Sequence, residues 1–176
     1  MDADTAKTPF ENIAELLASH GVEFIVIGRQ AETLHGSARV TFDTDLCYRR
    51  TASNLVGLAQ AMKELRATLR GAPADLRFPM DAESLALGCN FTLRTKEGDL
   101  DLLGFVEPIG SFEELDRRAE TIPIGDIDVK IIALEDLIRI KEHLGRPKDR
   151  DSLLHLTAIK RIRDAQRVRN KTDESP

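Results

Sequence analysis

Two short stretches of this sequence alternate acids with apolar or β-branched residues, and strict alternation admits few folds. Asp43-Thr44-Asp45-Leu46 and Asp99-Leu100-Asp101-Leu102 both follow a period of two. Each reads as a strand with carboxylates on one face and packing residues on the other. Two acids sharing a strand face repel and desolvate each other, so burying them is costly unless a cation lies between. Hard divalent cations take oxygen ligands, commonly one or two carboxylates plus substrate phosphates. Taken singly, the first pair also fits an ordinary solvated strand, and the second a hairpin edge guarded by charge. If a neighbouring strand brings Asp99 or Asp101 beside Asp43 and Asp45, three carboxylates converge, which suits a two-metal phosphoryl-transfer site.

The flanking patterns predict an α+β chain. Residues 1–7 read as a tail. Thr8-Pro9-Phe10-Glu11 is a helix start, with Thr8 as cap and Glu11 placed for a capping box. Phe10, Ile13, Leu16 and Leu17 fall on one face of that helix. Residues 22–27 form a buried strand ended by Gly28, and 30–35 a short helix closed by Gly36. Residues 43–48 form the second strand, and 53–69 a long amphipathic helix. Residues 71–79 break the pattern. Residues 90–95 and 99–105 pair as a hairpin turning at 96–98. A helix over 111–118 is capped by Ser111, and a second hairpin joins 121–124 to 127–132. A helix over 134–144 ends at Gly145, a linker covers 146–149, and Asp149 caps a final helix of about 20 residues. The expected division is a core over 8–133, a helical segment over 134–170 and a tail from 171.

With 176 residues and 41% of them hydrophobic, the chain can bury one core. A net charge of −5 excludes a generally basic nucleic-acid coat. Charge is uneven, because residues 137–171 hold 11 Lys+Arg against 4 Asp+Glu. Cys47 and Cys89 lie far apart, which excludes a disulfide framework and a CxxC zinc site. The longest apolar run is too short for a bilayer, and the polar start does not read as a signal peptide, so a cytoplasmic protein is expected.

The strand–Gly–helix unit at Gly28 can offer backbone N–H groups to phosphates. The sequence has no GxGxxG, no GxxxxGK[ST], no HExxH and no GxSxG. Arg39 stands where it can meet a phosphate or pair with Asp43. His35 at a helix end is expected to be satisfied by backbone, and Cys47 to pack as a small apolar residue. The basic residues of the last helix, Lys160 to Arg169, lack aromatic partners for base stacking and read first as a solvated face.

The run VIGRQAETLHGSARVTFDTDLCYRR, followed by GDLDLLGF and LEDLIRIKEHLGRPKDRDSL, resembles the nucleotidyltransferase superfamily related to DNA polymerase β. Within it the chain is similar to small bacterial AbiEii-type nucleotidyltransferases, many of them encoded in toxin–antitoxin or phage-defence operons. The resemblance spans about residues 22–156. It implies a polymerase-β-like core, a mixed sheet flanked by helices, followed by C-terminal helices. It implies Asp43 and Asp45 as Mg²⁺ (or Mn²⁺) ligands, with Asp101 as third acid and possible base, or Asp99 in its place. Gly28 and Arg29 would meet the NTP triphosphate, with Lys141, Arg146 and Lys148 adding positive charge. The implied reaction moves an NMP group from an NTP to a hydroxyl on tRNA or protein, with a cognate toxin or antitoxin as partner. Arg29 departs from the small residue usual after the glycine. It either fills the turn or swings out to pair with phosphate. The first outcome leads to the rival expectation, a silent binding or regulatory module on the same fold. A phosphohydrolase using the same acids is a third reading, without a cluster dedicated to water activation.

Overall fold

A computed structural model describes residues 6–38, 41–73, 76 and 78–173. Its first helix, α1 (Pro9–Ser19), starts as the residues dictate. The Glu11 N–H donates to Thr8 Oγ1 at 3.2 Å, and the Thr8 N–H donates to Glu11 Oε2 at 2.6 Å. Phe10, Ile13, Ala14 and Leu17 are buried. The chain turns into β1 (Phe24–Ile27), whose four residues are all buried, and passes directly into α2 (Gly28–Leu34). β2 (Thr44–Tyr48) then runs antiparallel to β1.

The helix α3 (Ala52–Glu64) is shorter than the expected 53–69. It stops because Arg66 takes a left-handed conformation at φ 53°, with the Arg66 N–H bonded to Lys63 O and the Ala67 N–H to Met62 O. The residues beyond it become an edge strand, β3 (Thr68–Leu69). Within the stretch after 71–79, α4 (Ala82–Leu87) is capped by Asp81, whose Oδ1 accepts from the Ser84 N–H at 2.8 Å. β4 (Asn90–Thr95) and β5 (Gly98–Leu103) form the expected hairpin. The residues after it belong to a separate small ribbon, β6 (Phe105–Val106) with β7 (Gly110–Ser111). α5 (Phe112–Asp116) carries the Ser111–Glu114 capping box. β8 (Glu120–Ile124) and β9 (Ile127–Ile131) pair next, followed by α6 (Leu134–Leu144) and α7 (Pro147–Asp173).

Seven strands make one mixed sheet in the order β3-β4-β5-β2-β1-β9-β8. The pairs β2–β5 and β1–β9 are parallel, and the others are antiparallel. One apolar cluster joins Leu17 of α1, Ile25 and Val26 of β1, Leu46 of β2, Leu58 and Met62 of α3 and Leu100 and Leu102 of β5. Leu137 of α6 and Leu156 of α7 belong to the same cluster, so the C-terminal helices share the core. α7 begins earlier than expected. Asp149 lies in its first turn, buried, and turns its carboxylate to Lys141 and Arg146 rather than capping the helix. From residue 164 onward the helix is exposed as far as its burial is described. No helix among the described residues is long and apolar enough to cross a membrane.

Candidate active site

β1, β2 and β5 lie side by side at the centre of the sheet, and their register sets the site. Asp45 is the Cα partner of Ile27 on one side and of Asp101 on the other. In a parallel pair, partners at the same register point to the same face, so the two carboxylates are neighbours. Asp43, two residues before Asp45, lies on that face too. Leu46, Leu100 and Leu102 take the other face and are fully buried.

Gly28 follows Ile27 at the start of α2 with φ 61°. A Cβ at this position would lie 2.1 Å from Asp45 Oδ2. The turn must therefore be glycine for two reasons, its left-handed backbone and the carboxylate packed against its Cα. The Arg29 backbone N–H donates to the Asp45 carboxylate. Burial pushes the Asp45 carboxyl up to about 6, and the charges of Asp101 and Asp43 push in the same direction. Lys141 and the Arg29 N–H oppose them. Asp101 is also raised, first by burial, with Arg70 pulling against it.

A cavity of about 610 Å³ opens beside these residues. Gly28, Asp43, Asp45 and Asp101 line one wall, while Leu103, Phe105, Val106, Leu137, Ile140 and Leu144 make an apolar one. Arg29, Arg70, Arg146 and Lys148 bring positive charge to it. Asp99 is not among the lining residues. Its Oδ2 pairs with Arg70 Nη1 at 2.9 Å and its Oδ1 lies 3.6 Å from Arg94 Nε. The arrangement thus brings together Gly28, Arg29, Asp43, Asp45, Asp101, Lys141, Arg146 and Lys148, leaving Asp99 at the margin. Arg39 lies outside the described residues.

The roles open to the cations differ from one to the next. The Arg29 side chain is exposed, so it stands at the cavity's rim and does not fill the turn. Lys141 is not a solvated helix charge. It is buried, 2.5 Å from Glu32 Oε1 and 3.3 Å from Asp149 Oδ1. Arg146 grips Asp149 at 2.6 and 3.2 Å, whereas Lys148 is exposed. His35 is satisfied within the fold. Its Nε2 donates to Ile132 O at 2.7 Å, which leaves Nδ1 to accept from Arg163 at 3.1 Å. Burial pushes its pKa down, in keeping with a neutral ring.

Arg70 was missing from the sequence reading. It reaches Asp101 Oδ1 at 2.6 Å while holding Asp99. Only the β3–β4–β5 register reveals it, and that register is hidden when 53–69 is read as one helix.

The donor set bears on Mg²⁺-type binding. Three carboxylates face one cavity, and one of them is desolvated and crowded by the other two, which is a place where a divalent cation relieves repulsion. Among the described residues no group of three or more His, Cys, Asp or Glu side chains forms a metal site by itself. Mg²⁺ does not require one, because substrate phosphates and water complete its shell. Asp43, Asp45 and Asp101 are oxygen donors of the kind such an ion takes.

No family model matches the sequence, and no curated relative does. Solved structures do match in fold. The antibiotic-resistance factor ANT(2'')-Ia aligns with a TM-score of 0.56 and 14% identity, covering 94% of this chain and 93% of that one. A putative nucleotidyltransferase from Thermotoga maritima, TM1012, aligns at 0.53 and 13%, covering 94% and 91%. The lincosamide antibiotic adenylyltransferase LnuA, in its lincomycin-bound structure, aligns at 0.57 and 16%, covering 86% and 96%. The protein has the fold of these nucleotidyltransferases.

Proposed function

We infer that the protein is a divalent-metal-dependent nucleotidyltransferase that moves an NMP group from an NTP to a hydroxyl acceptor and releases pyrophosphate. The observation that carries this reading is the row Gly28–Asp45–Asp101 beside a cavity lined by carboxylates, basic side chains and an apolar wall. Asp43, Asp45 and Asp101 would hold Mg²⁺ or Mn²⁺, which when bound supplies charge neutralisation on the phosphates. Gly28 keeps the turn thin enough for the triphosphate to approach the backbone. Arg29 and Lys148, both exposed at the rim, and Arg146 meet its outer phosphates. Lys141 serves differently. Held by Glu32 and Asp149, it sets the potential at Asp45 rather than gripping phosphate itself. Asp101, raised above the ordinary aspartate range, takes the proton of the attacking hydroxyl. The new O–P bond forms at the α-phosphorus as the α–β anhydride bond breaks, and the electron pair leaves on pyrophosphate.

The acceptor proposed is a tRNA end or a protein hydroxyl, in an AbiEii-like toxin–antitoxin or phage-defence setting with a cognate partner. The sequence resemblance supports this choice. A lincosamide belongs among the test acceptors, because LnuA is named for that substrate. The experiment incubates α-labelled NTPs with Mg²⁺ and tRNA, protein or lincomycin, comparing wild type with the double variant Asp43→Asn/Asp45→Asn. Label transfer by wild type, at least about 100-fold reduced in the double variant, is the expected result. Transfer that survives the double change defeats the assignment of the acids. No shift in melting temperature at millimolar NTP with Mg²⁺, together with no transfer, instead supports the regulatory-module reading, and a Mg²⁺-dependent rise counts against it.

A further inference from the structure

Arg70 is placed by the sheet and not by surface chance. Its backbone N–H bonds to Thr92 O at 2.9 Å, extending the two-residue pairing of β3 with β4. Thr92 is the register partner of Asp101, and Asp101 is that of Asp45. Arg70, Thr92, Asp101 and Asp45 therefore form one line across four strands. From the end of the edge strand the guanidinium reaches over Thr92. It sets Nη2 on Asp101 Oδ1 at 2.6 Å and Nη1 on Asp99 Oδ2 at 2.9 Å. Both carboxylates and the guanidinium are partly exposed, at 29–31%. A pair so exposed adds little to stability, yet it competes directly with any cation that needs Asp101.

We propose that Arg70 is an internal counter-cation for the third carboxylate. It is a positioning residue that occupies Asp101 in the nucleotide-free protein and yields it when a divalent cation is loaded. The proposal rests on the functional reading above and adds a regulation of that same site. It also gives Asp99 a purpose. Asp99 lies outside the cavity, so it is the anchor that keeps Arg70 within reach after Asp101 is released. The exchange is one of charges alone, with one cation leaving a carboxylate and another arriving. Its consequence is a low affinity for the free ion, so that loading depends on the phosphates that accompany it.

The test measures Mn²⁺ binding to the nucleotide-free full chain, by the EPR signal of the free ion, in wild type and four variants. Arg70→Gln is expected to bind Mn²⁺ about tenfold more tightly than wild type, because a competing opposite charge within hydrogen-bond range has been removed. Arg70→Lys, which cannot fork over two acids, is expected to fall between the two. Arg94→Gln removes the same charge from an arginine that pairs with Asp99 and, among the described residues, not with Asp101, and is expected to change affinity by less than about twofold. The proposal is overturned if Arg70→Gln and Arg70→Lys bind Mn²⁺ no more tightly than wild type. It is overturned equally if Arg94→Gln matches the gain of Arg70→Gln, since a general field would then suffice. Asp45→Asn separates the two levels of inference. If it binds Mn²⁺ as wild type does, the ion sits elsewhere and the functional reading itself falls. If it loses Mn²⁺ while the Arg70 variants show no gain, only the counter-cation role falls.

Discussion

Asp45 is half-buried against the bare Cα of Gly28, and its ionised form pays for that position. Its carboxyl is pushed up to about 6 in the folded chain, whereas an aspartate in an unfolded chain titrates near 4. The folded protein therefore binds this proton more tightly than the unfolded one. The stabilisation is full below about pH 4 and is lost as pH rises through about 6. Asp45→Asn removes the penalty while keeping an oxygen for the Arg29 N–H. The variant is expected to exceed wild type in unfolding free energy by about 2 kcal/mol at pH 8, with a smaller gap at pH 5. Urea unfolding at the two pH values checks this. A gap that is equal at both pH values, or wider at pH 5, contradicts the assigned cause. The difference between the two proteins is the proper measure, because Glu11, Asp81, Glu114 and Asp149 titrate below their ordinary ranges and lose stability as pH falls.

Helices α2, α6 and α7 meet through charges, not only through apolar contact. Glu32, Lys141 and Asp149 bring one charge from each helix, with side chains 2%, 7% and 2% exposed. Lys141→Met leaves two buried carboxylates without their shared cation. A loss of about 3–5 kcal/mol is expected, read as a lowered urea midpoint. A change below about 1 kcal/mol would show that the network is wetter than its burial indicates. This level is also where the sequence was least informative. The two hairpins, the strand before Gly28 and the alternating acids were legible, because periodicity and turn residues are local properties. The end of α3 was not, since it ends on Arg66 without a glycine and the apolar pattern runs on to Leu65. α4 has a readable start in Asp81, with Ser84 three residues on, but its six residues are too few for a helical period to stand out. Asp149 carries the residue type of a cap, and only tertiary proximity to Lys141 and Arg146 diverts it. Arg70 shows the same limit, since its partners are fixed by pairing across three strands.

Over the whole molecule, the C-terminal helix is two things along its length. Asp149, Ser152 and Leu156 are buried, and Arg163 joins Glu120 and His35, whereas residues 164–170 are exposed. A chain ended after Arg163 is expected to keep its stability within about 0.5 kcal/mol, because residues 164–170 are exposed and the Lys160–Asp164 ion pair lost with them is a surface pair. A chain ended after Lys148 is expected to lose its cooperative thermal transition, as the charged network and Leu156 go with it. Circular-dichroism melts of the two distinguish a helix built into the core from an appendage. The parallel pairing of β2 with β5 has a wider consequence. The segments between them, α3, β3, α4 and β4, must all be threaded before Asp101 can come to rest beside Asp45. A slip of one residue in that pairing would turn Asp101 to the opposite face and offer a leucine in its place. A chain with that slip would lack the proposed row of three carboxylates, so divalent-ion binding at the proposed site would report the native register.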